Sequence, residues 1–207
     1  MTVTISRLYD NHNDAQQAVR RLESAGVPHS DISLVANNSD SWFSTDKKVD
    51  RDRNGVDDRA GGAGKGAGIG AGVGGTAGLL AGLGLLAIPG LGPVVAAGWL
   101  AATAVGAAAG AATGGIVGAL TEAGVSAEDA HSYAEGVRRG GTLVSARVAD
   151  TDRSRLDPIL SESAIDLRDR SAAWQKTGWK SFDAASKPYG VEEEVRKERQ
   201  LHGGSLR

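Results

Sequence analysis

The sequence predicts an α+β fold: a ferredoxin-like split βαβ sandwich with an inserted antiparallel helical hairpin rich in glycine and alanine. Three observations favour this class. Strand and helix patterns alternate near both ends of the 207-residue chain. The two ends resemble each other at a constant offset of 140 positions. Between them, residues 66–121 contain no Asp, Glu, Lys or Arg, although 23% of the chain is charged.

The first 36 residues have the pattern of a βαβ unit. Residues 3–9 are β-branched and alternating, which predicts a strand. Asn13 or Asp14 is suited to cap a helix that Gly26 ends, and residues 31–36 read as a second strand. The apolar positions of the helix share one face, at Ala15, Ala18, Val19 and Leu22.

The second half repeats this order. Ser126 begins a helix with the S-x-x-D pattern, Gly140 ends it, and residues 142–148 form a strand. Pro158 can open a short helix, and residues 165–167 are the last predicted strand. Two βαβ units in tandem predict four antiparallel strands with two helices on one face.

These patterns divide the chain into four parts. The α/β domain is discontinuous, and a charged linker and an apolar insertion interrupt it. The predicted parts are residues 1–36 and 122–170 for the domain, 37–60 for the linker, 61–121 for a glycine-zipper helical hairpin, and 171–207 for a tail with a Trp motif and a short charged helix.

The insertion contains two uncharged arms, 66–88 and 94–120, separated by a Pro/Gly break. Small residues recur at every fourth position in both arms, so each helix has a face nearly free of side chains. Such faces allow close backbone contact, which predicts self-association. The glycines assigned to it are Gly66, Gly70, Gly74, Gly78, Gly82, Gly98, Gly106, Gly110, Gly114 and Gly118.

Two environments suit this hairpin. Each arm is long enough to cross a bilayer, and the basic residues before the first arm agree with the positive-inside rule. This predicts association with a lipid bilayer at the cytoplasmic face of the inner membrane. The alternative is a cytoplasmic, soluble homo-oligomer or filament in which the hairpins form a buried core. A homo-oligomer is expected in either case.

Signals for catalysis are weak, so the chain is predicted not to be an enzyme and to need no cofactor or metal. Gly70 to Gly75 match G-x-G-x-x-G, but no strand precedes them. The four histidines lack metal-ligand spacing. The net charge of −2 and the mixed charges argue against nucleic-acid binding. A second alternative is a small-ligand sensor on the open face of the sheet, near Arg7 and Arg147.

The tail from Ala172 contains three large aromatic residues with few aliphatic neighbours: Trp174, Trp179 and Phe182. They are suited either to dock a partner or to cap an open sheet edge, and capping is favoured.

The order of these parts resembles the YflT-type heat-induced, or general stress protein, domain family. The resemblance is carried by residues 2–35, the Gly/Ala centre, residues 124–141 and the Trp174–Trp179 motif. It implies a bacterial protein linked to the stress response. It brings no catalytic site, and it leaves the role of the glycine-rich insertion open.

Overall fold

The computed structural model describes residues 1–39, 84–88, 90–108 and 115–186. Most of the predicted linker, the first arm up to Leu83 and the tail from Lys187 lie outside these residues. The described residues form a mixed α/β structure built on one antiparallel sheet, which confirms the mixed helix and strand class.

The sheet has five strands in the order β1-β5-β2-β4-β3, and every neighbouring pair is antiparallel. The strands are β1 (Thr2–Tyr9), β2 (Ile32–Asn37), β3 (Gly84–Ile88), β4 (Gly92–Ala97) and β5 (Thr142–Ala149). Because β5 lies between β1 and β2, these two run parallel to each other and are joined by a helix. The predicted first βαβ unit is therefore present, with its strands split by β5.

Six helices accompany the sheet in the described part of the chain. They are α1 (His12–Ser24), α2 (Trp99–Ala108), α3 (Ile116–Glu122), α4 (Ala127–Arg138), α5 (Arg153–Ser161) and α6 (Leu167–Lys176). The cap of α1 is Asn11, not Asn13 or Asp14, because the Asn11 side chain accepts a hydrogen bond from Asp14 N at 2.9 Å.

Helices cover both faces of the sheet. Val144 of β5 packs with residues of α1 and α5, whereas the adjacent Leu143 packs with residues of α3, α4 and α6. All six residues of β2 are buried, as expected for a strand between two layers. The prediction of four strands with helices on one face is therefore wrong, and the open face proposed for a ligand is occupied by helices.

The last predicted strand, residues 165–167, is also wrong. Ile165 N donates a hydrogen bond to Leu8 O at 2.8 Å, so the chain does reach the edge of β1. However, the Asp166 side chain accepts hydrogen bonds from Arg168 N and Asp169 N, which starts α6 at Leu167. Capping by Asp166 turns the chain into a helix after a single strand-like contact.

The predicted helical hairpin is wrong on both sides of its Pro/Gly break. The described end of the first arm is strand β3, and the second arm begins with strand β4. Positive φ angles at Gly90 (76°) and Gly92 (79°) shape the turn that joins them. The second arm then continues as two helices, α2 and α3, and not as one. Short apolar runs beside Gly and Pro favour strands over helices.

Much of the uncharged segment belongs to the core of its own chain. The buried cluster between the sheet and α2, α3, α4 and α6 includes Ile88, Leu91, Val94, Leu100, Ile116 and Leu120. Each of these side chains is at most 4% exposed. These residues therefore stabilise the fold and do not form a free lipid-facing or oligomer-facing surface.

The aromatic tail packs onto the domain. Trp174 of α6 is 2% exposed, and Trp179 contacts it edge-on, with ring centroids 5.7 Å apart. Phe182 is buried against the β3–β4 turn, where a Cβ on Gly90 would lie 2.8 Å from the Phe182 ring and 2.7 Å from Ala184 Cα. Along its described length, the tail therefore covers the turn of the β3–β4 hairpin.

Candidate self-association surface

Three of the ten glycines assigned to self-association lie among the described residues. Gly98 joins β4 to α2, Gly106 lies in α2 and Gly118 lies in α3. The other seven lie outside the described residues: Gly66, Gly70, Gly74, Gly78, Gly82, Gly110 and Gly114. The structure therefore brings no continuous row of these glycines together within its described part.

Gly98 allows a close backbone approach, but the backbone that it contacts belongs to the same chain. Its φ is 86°, and a Cβ at this position would overlap Ile32 O and lie 2.6 Å from Ser33 Oγ. Ser33 Oγ accepts a hydrogen bond from Leu100 N at 2.7 Å and donates one to Ala97 O at 3.1 Å. The glycine is thus required where the start of α2 meets β2.

Strand β3 is an apolar edge of the sheet. Among the described residues it pairs with β4 alone. Its sequence, Gly-Leu-Leu-Ala-Ile, carries no charge, and Leu85 is 45% exposed. An edge strand without charge or proline is a template for pairing with another chain. Among the described residues of the uncharged segment, the β3 edge carries the exposed large hydrophobic side chain, that of Leu85.

At the opposite edge, β1, two backbone carbonyls accept hydrogen bonds from groups of the same chain. Leu8 O accepts the hydrogen bond from Ile165 N. Ser6 O accepts from the Arg7 guanidinium at 2.7 Å and from the Tyr133 hydroxyl at 2.6 Å. The two edges of the sheet therefore differ: β1 carries charge and internal hydrogen bonds, whereas β3 is uncharged.

The two arginines suggested for a ligand pocket lie on opposite faces of the sheet. Arg7 is in register with Val144, and Arg147 is in register with Thr4, on alternate positions of β1 and β5. Arg7 pairs with Asp157 at 2.7 Å, on the α5 side. Arg147 lies 4.7 Å from the centre of the Trp99 ring, on the α2 side. One pocket therefore cannot contain both arginines.

Sequence reasoning missed a buried ionic cluster at the end of α4. The Glu135 carboxylate is fully buried and accepts hydrogen bonds from Arg138 at 2.8 and 2.9 Å and from Arg139 at 2.6 Å. The Arg139 guanidinium also lies 5.1 Å from the centre of the Trp174 ring. In the sequence, the acid and the two bases at i+3 and i+4 could have indicated an ion-pair cluster on one helix face. The sequence does not show that this cluster is buried.

A second ion pair borders this cluster. Arg170 of α6 binds both carboxylate oxygens of Asp10, at 3.0 and 3.2 Å, and only 12% of its side chain is exposed. A surface groove of about 380 Å³ adjoins it, lined in part by Asp166 and Asp169. Asp10 binds Arg170 and Asp166 caps α6, so both carboxylates stabilise the fold. No three metal-ligating side chains come together in the described part of the chain.

Among the described residues, burial shifts the pKa of three side chains. Desolvation raises the pKa of Tyr133 to about 12 and that of Tyr9 well above its ordinary range. Their hydroxyls donate to Ser6 O and Leu160 O, respectively, which also favours the neutral phenol. Desolvation likewise raises the pKa of Glu23, whose carboxylate oxygens are buried without a hydrogen-bond partner in the structure.

The two tyrosines predict a loss of stability at high pH. Above the ordinary phenol pKa of 10.0 the unfolded state releases protons that the folded state retains. The free energy of unfolding is therefore expected to fall by about 1.4 kcal/mol per pH unit for each tyrosine between about pH 10 and 12. Denaturant unfolding at several pH values measures this slope, and Tyr133→Phe is expected to reduce it by about half. An unchanged slope in Tyr133→Phe would contradict the raised pKa of Tyr133.

Comparisons of the chain with protein-family models, with curated proteins and with solved structures give no match. No helix among the described residues is long and apolar enough to span a bilayer.

Proposed function

We propose that the protein is a non-enzymatic, self-assembling protein of the bacterial stress response. Its copies associate through the uncharged segment of residues 66–121. The stress role rests on the resemblance to the general stress protein family. The self-assembly rests on one observation: 56 consecutive residues carry no charge, and glycines recur at every fourth position from Gly66 to Gly82. Any part of such a segment that the chain's own core does not bury requires a partner surface.

The fold narrows the part of this segment that is available for assembly. Residues from Ile88 to Leu120 contribute several side chains to the core, and Gly98 is explained by contacts within the chain. The proposal therefore depends on the first-arm glycines, whose spacing favours close contact between helices. For the finer fold class, a ferredoxin-like domain, the support comes from one unit, β1, α1 and β2 with β5 between the two strands; the fifth strand and the second helical layer depart from it.

The first-arm glycines provide the most direct test of this proposal. The double variant Gly70→Leu/Gly74→Leu fills the proposed contact face, and we expect it to lower the mass of the assembled particle in light scattering. The matched control, Gly68→Leu/Gly72→Leu, adds the same side chains two positions away, on the opposite face of a helix. An equal loss of mass in both variants, or no loss in either, would contradict a zipper.

Membrane association is a second candidate, favoured by the charges before the first arm. Six basic residues precede it within about 20 positions, as the positive-inside rule expects for a cytoplasmic flank: Lys47, Lys48, Arg51, Arg53, Arg59 and Lys65. If the segment enters the inner membrane from its cytoplasmic face, the protein will stay in the pellet when membranes are washed with carbonate. Complete release into the supernatant would reject insertion and leave the soluble assembly.

A further inference from the structure

We infer that the outer edge of β3 pairs with the β3 strand of a second copy, in antiparallel register about a two-fold axis at Leu86. The two sheets would then form one continuous sheet of ten strands. This inference deepens the proposed function and rests on it for the choice of a second copy as the partner. The proposed pair is formed by residues that the structure describes, whereas the first-arm glycines lie outside the described residues.

The register of the sheet shows which backbone groups of β3 face outwards. Pro93 O accepts a hydrogen bond from Asn38 N at 2.9 Å, so the Pro93 backbone faces β2 and not β3. Ala87 lies opposite Pro93, and Leu85 lies opposite Val95. In an antiparallel ladder these are non-hydrogen-bonded positions, so the N–H and C=O groups of Leu85 and Ala87 point away from β4.

Two copies satisfy these outward groups completely in one register. When Leu86 lies on the axis, Leu85 faces the partner copy's Ala87 position and Ala87 faces the Leu85 position. Each of these two pairs exchanges two N–H···O=C hydrogen bonds. All five residues of each strand then overlap, since position 84 meets position 88. A shift by one residue along the strand would leave part of each edge without a partner.

Charge favours a second copy over an unrelated acidic or basic strand. No residue of β3 or of the uncharged segment around it is charged, so two copies meet without like-charge repulsion. Two carbonyls of the β1 edge already accept hydrogen bonds from Ile165, Arg7 and Tyr133, so among the described residues β3 is the edge better suited to extension. The exposed Leu85 would gain an apolar neighbour across the new pair.

Single cysteines in the full-length chain test this register, because the natural sequence contains none. In Leu86→Cys the two cysteines would be opposite each other at a non-hydrogen-bonded pair, with Cα atoms about 4.5 Å apart, within disulfide range. In the matched control Leu85→Cys they would be diagonal neighbours, about 7–8 Å apart, and beyond easy bridging. Mild oxidation and a non-reducing gel give the dimer fraction.

We expect most of Leu86→Cys to form a covalent dimer and Leu85→Cys to stay largely unlinked. Random collision predicts the reverse order, because Leu85 is the more exposed of the two. Equal linking, stronger linking of Leu85→Cys or no linking of either variant would overturn the inference.

A combined variant separates this inference from the proposed function. Leu86→Cys with Gly70→Leu/Gly74→Leu should still cross-link while the particle mass falls to that of a dimer. If cross-linking is absent but the glycine variant lowers the mass, the β3 pair fails alone. If cross-linking occurs but the glycine variant leaves the mass unchanged, the glycine zipper fails alone.

Discussion

Replacing Gly98 by alanine is expected to lower the free energy of unfolding by about 3 kcal/mol or more. The substitution forces a side chain into a left-handed backbone conformation, with φ at 86°. It also places a Cβ against Ile32 O and within 2.9 Å of Ser33 Cα, both of which belong to the central strand β2. Because backbone atoms cannot rotate away, either β2 or the start of α2 must shift.

Alanine substitutions at two other glycines measure the cost of the backbone strain without the steric overlap. Gly26 and Gly124 have similar φ angles, 92° and 89°, but no atom lies within 4 Å of a Cβ built there. Alanine at either position should cost about 1–2 kcal/mol, the strain alone. Urea unfolding of the three variants measures the difference. If Gly98→Ala is no more costly than the controls, the internal role of Gly98 is wrong and a zipper role, which tolerates alanine, regains support.

Replacing Glu135 by glutamine is expected to cost about 3–5 kcal/mol, because it removes a fully buried carboxylate that pairs with two largely buried arginines. The Arg138 and Arg139 side chains are 14% and 11% exposed, and the Glu135 side chain is 0% exposed. Without the negative charge, the two guanidinium groups stay largely desolvated and lose the buried counter-charge that they share. Glutamine has nearly the same volume, so the loss reports charge and not packing.

An exposed ion pair provides the matched comparison. Asp157 pairs with Arg7 at 2.7 Å, but their side chains are 37% and 29% exposed. The change Asp157→Asn should therefore cost about 1 kcal/mol or less. Denaturant midpoints for both variants, at unchanged m value, test the contrast. A loss at Glu135 no larger than that at Asp157 would show that the cluster is more solvated than the structure indicates.

The sequence predicted the elements whose patterns are local. In β1 and β5, successive side chains face the two opposite sides of the sheet, and α1 has four apolar residues on one face. The periodicity of the sequence was therefore sufficient to predict these three elements. The segment containing β3 and β4 has no such alternation, because most of its residues are small or apolar. Its glycines match a helical spacing, yet Gly90 and Gly92 serve a turn through positive φ. Spacing alone does not distinguish these two uses of glycine.

The candidate surfaces depended on information that no local pattern contains. The acid and bases of the Glu135 cluster were readable as i+3 and i+4 neighbours, but their burial depends on how closely α4 approaches β1. That approach requires Gly136 and Gly141, where a Cβ would contact the Leu8 side chain. Similarly, the outward groups of β3 follow from its register with Pro93, which only the paired sheet reveals.

The mass of the full-length protein in buffer without detergent tests the central claim most directly, because it asks whether the uncharged segment binds further copies of the chain. Sedimentation equilibrium over a range of protein concentrations gives this mass. The account predicts a stable particle of at least two chains. A particle of 21.1 kDa, the mass of one chain, at every concentration would contradict it.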